Sequence, residues 1–238
     1  MKVGDSSFFG MGIPMFAGQG AYTRDELAGT ANASFGWWHH SVENTIDKVE
    51  WNFLDAHMRT YVAYLWALCT SPLLPMEFVS VADEISARLA ELASVPSGIE
   101  LATATALAAE LRKAAGKLDG IAGKLAAEVA AGADAEAQVV IVNRCLKKLS
   151  RLLVPLASTR IGTYGHDPYG NTAQTTTLPL LFELPLLSDE SLPVEQRTLL
   201  ETELLRGRNR ITDMLAAAVD LVEATMSAIQ QNRQRVSQ

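Results

Sequence analysis

From Trp51 to Thr70 the apolar positions Leu54, Met58, Tyr61, Leu65 and Leu68 step by four, three, four and three, which puts them on one helical face and predicts a helix. Ser71-Pro72 ends it and Pro75 extends the break. Val81, Ile85, Leu89 and Leu92 form the next stripe, closed by Pro96 and Gly98. The spacing then runs through Ala104, Ala108, Leu111, Ala115, Leu118, Ala122, Leu125 and Val129. This is a heptad seam in which Ala alternates with Leu and allows close approach of a neighbour. Gly132 ends that helix, and Asp134 is a reasonable N-cap for the following one. There Val139, Val142, Leu146, Leu149, Leu153 and Leu156 repeat the pattern, with Pro155 kinking or ending its last turn. A final helix starts near Pro193 and runs towards Arg235, with Ile211, Met214, Ala218, Leu221 and Thr225 on one side.

The pattern differs at the front of the chain. Ile13 to Ala17 is a short apolar run between Gly12 and Gly18, which suits a buried strand, and Gly18 to Gly36 reads as loop. Such a strand needs neighbours to pair with, so residues 1–36 read as the edge of an α/β sheet. The connection from Ser158 to about Ser191 is long for a compact domain; connections of that kind are functional or pack as an arm. The expected organisation is mainly α: residues 1–75 belong to the end of an α/β domain, and 76–238 form an antiparallel helical bundle.

Composition narrows the partners. A hydrophobic fraction of 48% and a mean hydropathy of +0.10 exclude a disordered chain. A formal charge of −7 argues against nucleic acid and against an anionic membrane surface, both of which demand clustered Lys and Arg. No apolar run reaches the ~18 residues of a membrane span, and Met1 to Asp5 opens no signal peptide. Cys69 and Cys145, far apart and each within a predicted helix, read as buried thiols rather than a disulfide.

The candidate chemistry gathers in Trp37-Trp38-His39-His40-Ser41-Val42-Glu43-Asn44-Thr45-Ile46-Asp47-Lys48-Val49, just ahead of the first long helix. Neutral imidazole is the commonest protein ligand for transition metals, and a ligating ring is normally oriented by a carboxylate or carbonyl that accepts its other N–H. The run from His40 to Val49 resembles the final zinc-ligand motif of the co-catalytic zinc exopeptidases, the family of bacterial aminopeptidases, glutamate carboxypeptidase II and the transferrin receptor. Upstream, Gly4-Asp5-Ser6-Ser7-Phe8-Phe9 and Gly12-Ile13-Pro14 resemble the family's Asp-containing helix start and the Gly-Ile-Pro strand after it. Asn44 stands where an acidic residue is common, and Ser6 where many members have His.

The resemblance implies that His40 is a zinc ligand; Glu43 and Asp47 read equally as carboxylates able to accept its other N–H or as helix-entry charges. Asp5 reads as a helix cap, His39 and His57 as ordinary histidines. The family site holds two zinc ions on five ligands beside a Glu general base, and a metal-bound hydroxide attacks the scissile carbonyl. All those ligands except the last His lie upstream of the point that Asp5 matches, so no catalytic residue is assigned in this chain. The resemblance also implies that the helical bundle is a dimerisation domain like that of the transferrin receptor relatives, making a homodimer acting on peptides. In the 158–191 connection, Arg160, Tyr164 and His166 are candidate substrate contacts. The chain is therefore expected to be the C-terminal portion of a zinc exopeptidase, inactive by itself. The alternative is a non-catalytic helical dimerisation protein related to that family.

Overall fold

The structure is a computed structural model and describes residues 8, 10–13, 23–29, 33, 35–164 and 177–236. It is mainly helical: α1 (Arg24–Ala28), α2 (Trp51–Thr70), α3 (Val79–Ala93), α4 (Ala102–Ala130), α5 (Glu136–Ser158) and α6 (Val194–Val236), with 3-10 turns at Ile46–Lys48, Pro179–Leu181 and Leu184–Ser188. None of the described residues is in a strand. The strand expected over 13–17 lies, apart from Ile13, outside them, as do Asp5 and His166. The chain divides into two compact units, Met1–Met15 with Pro72–Gln238, and Phe16–Ser71.

The larger unit is a bundle of α3 to α6. Its seams are those of the sequence: Ile85, Leu89 and Leu92 on α3, Leu111 and Leu118 on α4, Leu146, Leu149 and Leu153 on α5, and Ile211 and Ala218 on α6 are all buried. Each fully buried Leu or Ile contributes about 1.5–3 kcal/mol relative to exposure. Helix α4 packs on α3 and α6, and α6 on α5, whereas α4 and α5 touch only sparsely.

Polar pairs give the directions. Asp83 pairs with Arg112, so α3 and α4 are antiparallel. Glu128 meets Arg233 at 3.2 Å, and Arg208 donates to the Glu100 carbonyl at 3.4 Å, so α4 and α6 run in parallel along their length. Consecutive helices alternate in direction, as expected, and the second and last helices of the bundle, α4 and α6, are laid side by side.

Several local details depart from the sequence reading. Thr23-x-x-Glu26 forms a capping box and starts α1 inside the stretch expected to be loop; Glu26 accepts from the Thr23 backbone N–H at 2.7 Å. Asp134 does not cap α5, whose N-cap is Ala135. Pro155 is accommodated within α5, which continues to Ser158, because a proline near a helix end removes only one late hydrogen bond. Cys69 is exposed rather than buried, whereas Cys145 is buried, and burial pushes its thiol pKa up.

The second half of the long connection joins the core. Leu178, Leu181, Leu184 and Leu187 are all buried, and their spacing of three is that of 3-10 turns, whose side chains at i and i+3 eclipse. Leu178 turns the chain in the left-handed region, φ +60, and its N–H donates to the Leu156 carbonyl at 3.0 Å. At Gly207 the helix α6 approaches this segment so closely that a Cβ would stand 2.8 Å from the Leu180 carbonyl oxygen. Two further ties have no periodic signal. Asn143 on α5 donates to the Pro72 carbonyl at 2.8 Å and accepts from the Leu74 N–H at 2.9 Å. Ser150 donates to the carbonyl of Gly12 at 2.7 Å.

The smaller unit has another character. Helix α2 carries no Gly or Pro and spans the predicted residues, with Arg59 reaching Asp55 at 2.8 Å along its surface. Yet it has no buried residue. The stripe of Leu54, Met58, Tyr61, Leu65 and Leu68 is exposed, and so are Trp51, Phe53, Val62, Tyr64 and Trp66 on its other sides.

Candidate metal-ligand turn

The stretch ahead of α2 is a succession of tight turns. Gly36 adopts φ +86, and a Cβ there would lie 2.4 Å from the Trp38 indole, so only glycine fits. The His39 N–H donates to the Gly36 carbonyl at 3.1 Å and the Ser41 N–H to the Trp38 carbonyl at 3.0 Å. The Ser41 hydroxyl donates to the same Trp38 carbonyl at 2.7 Å and accepts from the Glu43 N–H at 3.2 Å. Serine in this role is a local alternative to a helical hydrogen bond, which is why the chain turns here instead of starting α2 early.

The turn presents His40. Its backbone is left-handed, φ +61, one of two such non-glycine residues described. That conformation costs an L-residue roughly 1–2 kcal/mol. Strain of this kind persists where surrounding structure fixes it and collects at functional positions. The His40 ring stacks on His39 with centroids 3.9 Å apart, and His39 lies 4.9 Å from the Phe35 ring. Both imidazoles are exposed. The aromatic stack, rather than a hydrogen bond to a carboxylate, is what orients the His40 ring here.

The two carboxylates expected near His40 differ. Hydrogen bonds from Lys48, then Thr45, hold the Asp47 carboxyl down at about 2, so it is fully ionised and already partnered. The Glu43 carboxylate is exposed and makes no hydrogen bond or ion pair among the described residues. It is the one available to an imidazole N–H. His57, on α2, lies 4.6 Å from the Phe53 ring.

In the helical unit, Arg160 forms an ion pair with Glu183 and lies 3.7 Å from Glu203. The Arg160 guanidinium lowers the Glu183 pKa. Tyr164 is 90% exposed. His166, with the Asp167 beside it, lies outside the described residues. What the sequence reading passed over is the pair Arg206 and Arg210 on α6, which shares a cleft with Arg160. The visible signal was Arg206-Gly207-Arg208-Asn209-Arg210, whose first and last cations fall one helical turn apart.

A catalytic zinc site takes about three protein ligands and an open position. Among the described residues no group of three or more His, Cys, Asp or Glu side chains could hold a metal ion. His40 is a single imidazole and not a complete site, so no metal-dependent step is derived from these residues. Comparisons with protein-family models, with characterised proteins and with solved structures give no match.

Proposed function

We propose that this chain is the histidine-bearing part of a zinc-dependent exopeptidase, His40 supplying one zinc ligand and the other ligands coming from outside these 238 residues. The observation that carries this reading is His40 itself. A left-handed, exposed histidine is held in a hydrogen-bonded turn, beside a free carboxylate, within a motif that resembles the family's last ligand. The role of the chain's own residues is positional: the turn and the His39 ring hold the imidazole, and Glu43 would accept its second N–H. Helix α2 supports the reading too, since a helix with large apolar residues exposed beyond its main stripe suits the interior of a larger assembly. In this reading the residues up to about 75 are the edge of an α/β peptidase domain, and the bundle is its dimerisation domain.

The test compares this chain with a longer polypeptide from the same reading frame, by zinc content and by hydrolysis of aminoacyl and peptidyl substrates. Structural zinc sites reach roughly 10–16 kcal/mol only by combining several ligands, so the 238-residue chain is expected to hold no zinc tightly and to be inactive. The longer polypeptide is expected to bind zinc and hydrolyse peptides, and His40→Ala to abolish both while leaving helicity unchanged. A longer frame without further His, Asp and Glu ligands defeats the proposal.

A second reading is favoured by one observation: helices α3 to α6 bury a continuous apolar core of their own. On that reading the chain is a non-catalytic helical dimerisation protein. Light scattering that gives a strict monomer counts against it.

A further inference from the structure

In the helical unit, the Arg160–Ile161 loop, the 3-10 turns around Leu180 and Glu183, and the first half of α6 enclose a cleft of about 610 Å³. Three guanidiniums and two carboxylates reach it. The carboxylates are both taken: Glu183 is paired with Arg160, and Glu203 stands 3.7 Å from the same guanidinium. Arg206 and Arg210 are left with no ion pair or hydrogen bond among the described residues. They lie one turn apart on the same face of α6, where like charges repel unless an anion sits between them.

Arg210 is half-buried, and its guanidinium is packed over Gly162, where a Cβ would stand 3.4 Å from Nη1. Gly162 has φ +106. A side chain there would be strained and would press on the guanidinium, so the loop is shaped to leave Arg210 in the cleft. The remaining walls are aliphatic, from Ile161, Leu180, Leu200 and Leu204. Arginine's planar fork matches a carboxylate in two parallel hydrogen bonds, while aliphatic walls select an apolar body and disfavour a fully hydrated anion.

We propose that this cleft is a binding site for a small apolar carboxylate, its carboxyl group held by Arg210 and Arg206 and its hydrocarbon part against Leu180 and Leu200. The site lies within the helical unit and does not depend on the zinc-peptidase reading.

The experiment titrates the full chain with hexanoate, hexanamide and inorganic phosphate, followed by backbone amide NMR shifts. Hexanoate is expected to saturate at millimolar concentration and to shift amides of Ile161, Gly162 and Gly207. Hexanamide, the same size without the charge, is expected to bind at least tenfold more weakly, and so is phosphate. Arg210→Gln and Arg206→Gln, with unchanged helicity, are each expected to weaken hexanoate at least fivefold. Equal binding of hexanamide, equal or tighter binding of phosphate, unchanged affinity in both variants, or no saturable binding of hexanoate would each overturn the proposal. The comparison of the three ligands on the unmodified protein holds even if a variant fails to fold.

Discussion

Helices α2 and α4 share the same four-and-three spacing of apolar residues, yet α4 buries a continuous seam from Ala104 to Leu125 and α2 buries nothing. Their other faces explain the contrast. Away from its seam α4 carries Glu110, Arg112, Lys113, Lys117, Lys124 and Glu128, a face made for water. Helix α2 carries Trp51, Phe53, Val62, Tyr64 and Trp66 there, with Asp55, His57 and Arg59 as its main polar breaks. A stripe therefore tells which side of a helix is apolar. The residues off the stripe tell whether one neighbour is enough to cover it.

The largest expected effect tests that contrast directly. Leu111→Ala should cost about 3 kcal/mol, the transfer loss plus the cavity left in a closed core. Leu65→Ala on α2 should change the stability of this chain by less than about 0.5 kcal/mol. Urea unfolding of the two variants measures both; a Leu65→Ala cost near that of Leu111→Ala would show that α2 has cover of its own. An intermediate effect sharpens the picture inside the bundle. Gly207→Ala should lose about 1–2 kcal/mol because its Cβ meets the Leu180 backbone, which cannot swing aside. Gly120→Ala on α4, with nothing within 4 Å of its Cβ, should gain about 0.5–1 kcal/mol from helix propensity alone. Thermal unfolding in opposite directions would separate close approach from propensity.

The smallest effect belongs to the turn ahead of α2. The folded pKa of Asp47 lies at about 2, below the ordinary aspartate value of 3.8, so its contribution is present above about pH 4 and fades as pH falls towards 2. The group is fully exposed, and solvent screening keeps the effect on stability small. Carboxyl NMR should show Asp47 titrating at about 2, and Lys48→Gln should move it upwards; an ordinary aspartate titration would remove the ion pair from the account.

The bundle was legible because its signal is repetitive: long runs of four-three spacing leave few alternatives, and Ile85, Leu111, Leu149 and Ile211 are buried where that spacing puts them. Single-residue ties were not. Asn143 bridges Pro72 and Leu74 across 71 and 69 positions, and nothing about an asparagine on a helix names its distant carbonyl. The parallel pairing of α4 and α6 was also hidden, since heptads state a face and not its partner. In the candidate site, the sequence singled out His40 and Arg160, but Arg160 is already engaged by Glu183 while the open cations are Arg206 and Arg210. Which guanidinium is left over depends on charge neighbours that only the fold brings together.

The placing of α6 has a consequence for the order in which the chain acquires its structure. The α3–α4 pairing joins residues 29 positions apart, as at Asp83 and Arg112, whereas Arg233 finds Glu128 across 105. Local contacts form early because little chain entropy is lost in closing them. The α3–α4 hairpin can therefore assemble first, and α4 and α5, which barely meet, wait with uncovered leucines until α6 has been made and laid between them. On a ribosome that interval lasts for the synthesis of residues 159–236, at roughly 5–20 residues per second. The unfinished bundle therefore leaves apolar surface uncovered for that interval, whose length is set by the position of α6 along the chain.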